Sequence, residues 1–171
     1  MSAQTDPRGE QIDPRGQRFA AALTSVLLAG VLLAAPSATA TVLLAVQTAL
    51  FVLGAVAGVQ RTPYAWIFRT LVRPRISSPG ELEDAAPPRF AQAVGLGFGL
   101  VALVAYLAGA TLIGAVATGL ALGAAFLNAA FGLCLGCEVY LLLRRFAPTR
   151  SNHKSYADNH RTGHTPVATK G

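Results

Sequence analysis

LIGAVATGLALGAAFLNAAFGLCLGCEVYLLL, residues 112–143, is an unbroken apolar run of 32 residues carrying one acid, Glu138, and no base. As one straight helix it would reach about 48 Å, whereas the hydrocarbon core of a bilayer is about 30 Å thick. A run of this kind reads as membrane-spanning, and it must bend. Counted back from Leu143, Cys134 would lie about 13 Å below the membrane boundary, close to the midplane. Counted forward from Leu112, the helix would leave lipid near Phe131, and both thiols would reach the interface. A break at Gly132 reconciles the two and places Cys134 at the N-terminus of a fresh helix.

The rest of the chain supports a membrane reading. Of its 171 residues 53% are hydrophobic and only 13% charged, with mean hydropathy +0.47, too apolar for a soluble domain of this size. Three further blocks are long enough to span: Phe19 to Ala35, Thr41 to Val59 and Phe90 to Ala108. APSATA (35–40) separates the first two, and GAT (109–111) separates the third from the last run. The expected fold is therefore all-α: an integral membrane four-helix bundle made of two hairpins over residues 19–145. A charged loop (60–89) joins the hairpins, with a polar arm (1–18) before them and a disordered tail (146–171) after. The tail is polar and has no apolar periodicity.

All fourteen Lys and Arg lie in the arm, the central loop and the stretch from Arg144 onward; the short hairpin turns have none. The positive-inside rule then puts both termini and the loop in the cytoplasm of a multi-pass plasma-membrane protein. The net charge of +6 flanks apolar blocks without aromatic interleaving, so nucleic acid is not an expected partner; the lipid bilayer is. A rival reading takes the first block as a cleavable signal peptide ending at Ala38-Thr39-Ala40, but that block is long for the purpose and another follows at once.

Each hairpin starts with an Arg and an aromatic, Arg18-Phe19 and Arg89-Phe90. This pattern fits either a weak internal repeat or simply the usual chemistry of a membrane boundary. In the loop, Thr62 can cap a helix with Pro63 at its first position. We expect 63–73 to lie on the cytoplasmic leaflet, Trp66 inserted and Arg69 and Arg73 at the headgroups. Pro87-Pro88 reads as a stiff lead-in to the third span. Arg18, Arg89, Arg144 and Arg145 complete the expected interface anchors. Glycines four apart (54/58, 95/99, 119/123, 132/136) offer close helix approach, and Asn128 offers an interhelical hydrogen bond.

The only two cysteines sit in CLGCE, three residues apart and on one helix face. A helix N-terminus would stabilise a Cys134 thiolate, and Cys137 is near enough for a disulfide if the turn opens. Glu138 follows Cys134 by four residues. A buried acid is costly, about 2.5 to 3.5 kcal/mol on insertion scales, so Glu138 is expected to act as proton acceptor for Cys134 or to pair with a loop arginine; the plainer account has it snorkel to the headgroups. Packing alone is the plainer account of the two thiols. Joined to His160 and His164, the pair would give four zinc ligands, but 22 residues separate the two halves and one half lies in a membrane helix. No nucleotide loop, Ser/His/Asp grouping or paired carboxylates occur, and no cofactor is expected.

Four stretches, DPRGQRFAAALT (13–24), TPYAWIFRTLVRPR (62–75), ELEDAAPPRFAQAVGL (81–96) and NAAFGLCLGCEVYLLLRR (128–145), resemble the small bacterial membrane family catalogued as domain of unknown function 4395. The resemblance implies a four-helix integral membrane protein and carries over Arg89, Cys134, Cys137 and Glu138; it implies no particular reaction. Genes of that family often neighbour thioredoxin-like and sulfurtransferase genes, which implies a partner of that kind.

The expected function is thiol-disulfide exchange or sulfur handling. Cys134 would attack, Cys137 resolve and Glu138 relay protons, with a cytosolic thioredoxin- or sulfurtransferase-like partner. The alternatives are a conduit for a small sulfur anion, which would need a homo-oligomer, and a non-enzymatic scaffold whose cysteines only pack.

Overall fold

The computed structural model describes residues 11–76 and 82–146. The tail with His160 and His164 lies outside the described residues, as do the start of the arm and Glu81. Six α-helices dominate: α1 (Pro14–Ala34), α2 (Ala38–Val56), α3 (Pro63–Ile67), α4 (Ala86–Leu107), α5 (Thr111–Phe131) and α6 (Leu135–Phe146). α1, α2, α4 and α5 are long and apolar enough to cross a membrane, so the chain has the architecture of a multi-pass membrane protein. Two short strands, β1 (Gln11–Ile12) and β2 (Glu83–Asp84), pair antiparallel beneath one end of the bundle.

The long helices begin earlier than their apolar stretches. Asp13 caps α1, its side chain accepting from Arg15 N at 2.9 Å with Pro14 at the first helical position. Pro87 and Pro88 belong to the first turn of α4, which corrects the expected lead-in: at a helix start no preceding carbonyl needs the missing N–H. Ser37 caps α2 by accepting from Ala40 N at 3.2 Å.

α1 packs on α2 and α5, and α4 on α2 and α5, so the four spans form a closed ring in which each helix of one hairpin touches the other hairpin. The centre holds Leu28, Val31, Ala40, Leu44, Ala102, Ala117 and Ala121. Four of these seven are alanines, and small side chains let helices approach closely where lipid supplies no hydrophobic drive. Three hydroxyls buried in the spans bond within their own helices: Ser25 donates to Ala21 O, Thr48 to Leu44 O and Thr118 to Gly114 O, at 2.7–2.8 Å. The outer surface is greasy, Leu33 being 89% exposed, as expected of a bundle solvated by lipid.

Of the glycine pairs, Gly95/Gly99 works as a pair. A Cβ on Gly99 would lie 2.7 Å from Thr48 Oγ1, and one on Gly95 2.9 Å from the Phe51 ring, so α4 lies hard on α2. Gly54 faces the Gln92 side chain at 2.9 Å, whereas Gly119 and Gly123 face nothing within 4 Å. Gly58 and Gly132 are backbone pivots at φ 100° and 72°.

The segment after Thr62 is helical but not one α-helix. α3 passes into a π-helical turn over Phe68–Val72 and a 3-10 turn over Arg73–Arg75. Thr62 caps it, accepting from Ala65 N at 3.3 Å. It does not simply lie on a leaflet, because Phe68 is only 4% exposed. Its ring packs on Phe19 at 5.8 Å and against Gly16. The widened turn allows Phe68 to reach α1 while Trp66 and Leu71 stay exposed.

Candidate functional site: the turn between α5 and α6

The long apolar run does break at Gly132, which closes α5 as its left-handed C-cap, Gly132 N donating to Asn128 O at 3.0 Å. Asn128 contributes that backbone carbonyl; its side chain makes no hydrogen bond among the described residues, so the expected donor across helices is not seen. Two residues later the chain turns into α6. Glu138 N donates to Cys134 O at 3.0 Å, which puts Cys134 at the cap position.

Cys134 and Cys137 are joined by a disulfide, their Cα atoms 5.1 Å apart. Cys137 N also donates to Cys134 Sγ at 3.4 Å, so the sulfur sits over the first free N–H groups of α6. Both cysteines are half-buried and Glu138 is exposed. With the helix broken at Gly132, Glu138 falls in the first turn of α6, where the dipole favours negative charge. Among the described residues Glu138 has no ion-pair partner, so the expected loop arginine does not reach it.

α6 is held by its small face. A Cβ on Gly136 would stand 2.6 Å from Ala91 Cα, so only glycine lets α6 lie against the start of α4. Tyr140 stacks on Phe90 at 5.7 Å, and Arg144 sits over the Tyr140 ring at 5.9 Å. At about 100° per residue, Leu135, Val139, Leu142 and Phe146 form one side of α6, Glu138 and Arg145 lie together beside it, and Cys137 falls on the far side from Leu135. An amphipathic helix of that kind lies in a membrane surface with its apolar side down.

The remaining anchors divide. Arg18 Nη2 donates to Ala129 O and Ala130 O at 3.4 and 3.2 Å, and Arg89 Nη2 to Ala55 O and Val56 O at 3.3 and 3.0 Å. They cap the last carbonyls of α5 and α2 respectively. Arg18 also flanks the cysteine turn, its Cδ and Nε 3.9 Å from the position of a Cβ on Gly132. Trp66 is 59% exposed, and Arg69 and Arg73 are exposed.

Sequence reasoning missed a cavity of about 240 Å³ at the same end of the bundle, lined by Asp13, Gln17, Gln47, Tyr64, Arg69 and Gln92 among others. Gln47 is 1% exposed and accepts the Tyr64 hydroxyl at 2.9 Å. Burial raises the Tyr64 phenol above its usual 10.0, opposed by a hydrogen bond with Thr24. The signal available in sequence was a glutamine in each of α1, α2 and α4, unusual cargo for spans.

The model of a family described as a domain of unknown function, DUF4395, matches residues 12–145. No curated protein and no solved structure gives a match.

Proposed function

The chain belongs to the DUF4395 family, whose description names no activity, and we propose from the CxxC turn itself that the protein exchanges thiols and disulfides with a soluble partner at the cytoplasmic face of the plasma membrane. The observation that carries this reading is the placement of the Cys134–Cys137 pair at the start of α6, half-exposed and outside all four spans. Support for the side comes from charge: Arg18, Arg69, Arg73, Arg89, Arg144 and Arg145 cluster in the segments at that end of the bundle.

In the reduced form, the Cys134 thiol passes its proton to Glu138 and the thiolate attacks a disulfide of the partner, whose second sulfur leaves as thiolate. Cys137 then attacks Cys134 Sγ, the mixed disulfide breaks, and the first partner sulfur leaves and takes up the Cys137 proton. The chain ends as the disulfide and the partner as a dithiol, two electrons having moved; the reverse sequence oxidises the partner. The N–H groups at the start of α6 favour the attacking thiolate. A thioredoxin- or sulfurtransferase-like protein has the thiol chemistry required. Gly119 and Gly123, open on the outer face of α5, support a second copy of the chain as neighbour.

Redox titration of the purified protein in glutathione buffers, read by gel-shift thiol labelling, should give one two-electron transition. On inverted vesicles an impermeant maleimide should label both cysteines after reduction. Thiols that stay unlabelled there, or that react only from the opposite side, rule the reading out.

A further inference from the structure

The cavity between the start of α1, the end of α2 and α3 is not part of the cysteine turn, and polar groups from several elements line it. Its walls are apolar on one side, with Ile12, Ala20, Leu50 and Phe68. At about 240 Å³ it is smaller than the pockets of drug-sized molecules, which start near about 300 Å³.

Three buried side-chain polar atoms among the described residues have no hydrogen-bond partner, and two of them belong to this cavity: Asp13 Oδ2 and Gln17 Nε2. They are four residues apart, one turn along the same face of α1. Asp13 spends Oδ1 on capping α1, so Oδ2 is a spare acceptor with negative charge. Gln17 Nε2 is a spare donor. Gln47 accepts the Tyr64 hydroxyl through Oε1, which fixes its amide so that the NH₂ group is left to donate. Arg69 and Arg73, one turn apart, also line the cavity and are exposed. Buried polar groups left unpaired are costly and rare, and here an anionic acceptor, amide donors and two cations meet one apolar wall.

We infer that this cavity binds a zwitterionic α-amino acid with an apolar side chain. The ammonium group meets Asp13 Oδ2, the carboxylate meets Arg69 and Arg73 with help from the Gln17 and Gln47 amides, and the side chain lies on Leu50 and Phe68. A simple carboxylate would leave Asp13 unpaired beside a like charge; a simple amine would leave the arginines and amides idle.

The test is calorimetric titration of the full chain in nanodiscs with L-leucine, isocaproate and isoamylamine, which share one apolar body and differ in charged groups. Leucine should bind, and each single-charge analogue should bind at least about tenfold more weakly, one charge-assisted contact being lost. Asp13→Asn keeps a good helix cap and should weaken leucine by a similar factor. So should Arg69→Gln with Arg73→Gln, which are surface changes. Gln17→Leu should lose affinity while melting no lower than the parent without ligand, since it removes an unpaired buried donor. Isocaproate binding as tightly as leucine, no heat with any of the three, or leucine binding unchanged in Asp13→Asn overturns the proposal.

Discussion

Arg18 and Arg89 do the same job at opposite corners of the bundle: each opens one hairpin and donates from Nη2 to two carbonyls in the last turn of the other hairpin's second helix, Ala129 and Ala130 for Arg18, Ala55 and Val56 for Arg89. The repeat hinted at by Arg18-Phe19 and Arg89-Phe90 thus has a structural counterpart in how the hairpins interlock.

Substitution Arg89→Met should lower stability by about 1 kcal/mol, the usual scale for a cation at a helix C-terminus. Arg18→Met should cost a similar amount. The two sites share no partner, so the double variant should show nearly the sum. Thermal denaturation in detergent, followed by circular dichroism, measures all three.

Gly136→Val should push α6 off α4, because the new side chain would collide with the Ala91 backbone rather than with a flexible tip. Overpacking of this kind costs about 1–3 kcal/mol. The reduced thiols should then react with maleimide faster than in the parent, while helicity of the four spans is kept.

Phe68→Ala should cost about 3 kcal/mol by emptying the space between Phe19 and Gly16. Trp66→Ala should leave the melting temperature nearly unchanged, since that ring faces outward. As the sole tryptophan, Trp66 should be quenched by lipids brominated near the headgroup more strongly than by lipids brominated at the chain end.

Tyr64 keeps its proton to higher pH when folded, because burial raises the phenol above 10.0. The fold is therefore fully supported below pH 10 and loses that support as pH climbs through the raised value. Melting temperature should fall on the alkaline side in the parent and fall less in Tyr64→Phe. At neutral pH that variant should cost about 1–3 kcal/mol, since Gln47 Oε1 loses its donor.

The spans were legible because charge is excluded from them and because length against bilayer thickness is a hard constraint; the same arithmetic located the pivot at Gly132. Helix starts were less so, since Asp13-Pro14 and Ala86-Pro87-Pro88 nucleate helix before the long apolar blocks begin. The carbonyl contacts of Arg18 and Arg89 were not legible, because their partners lie on other helices and no local pattern announces them. The glutamine cavity was invisible for a related reason: Gln17, Gln47 and Gln92 each look like a lone polar residue until three helices bring them to one place.

The reciprocal arginine clasp also constrains how the molecule is made. When the first two spans emerge from the ribosome, the exit end of α2 still lacks the guanidinium it will need, which is encoded 33 residues beyond Val56. Each half is born unfinished and is completed by its sibling, so quality control by the cell has a natural checkpoint at the joining of the halves.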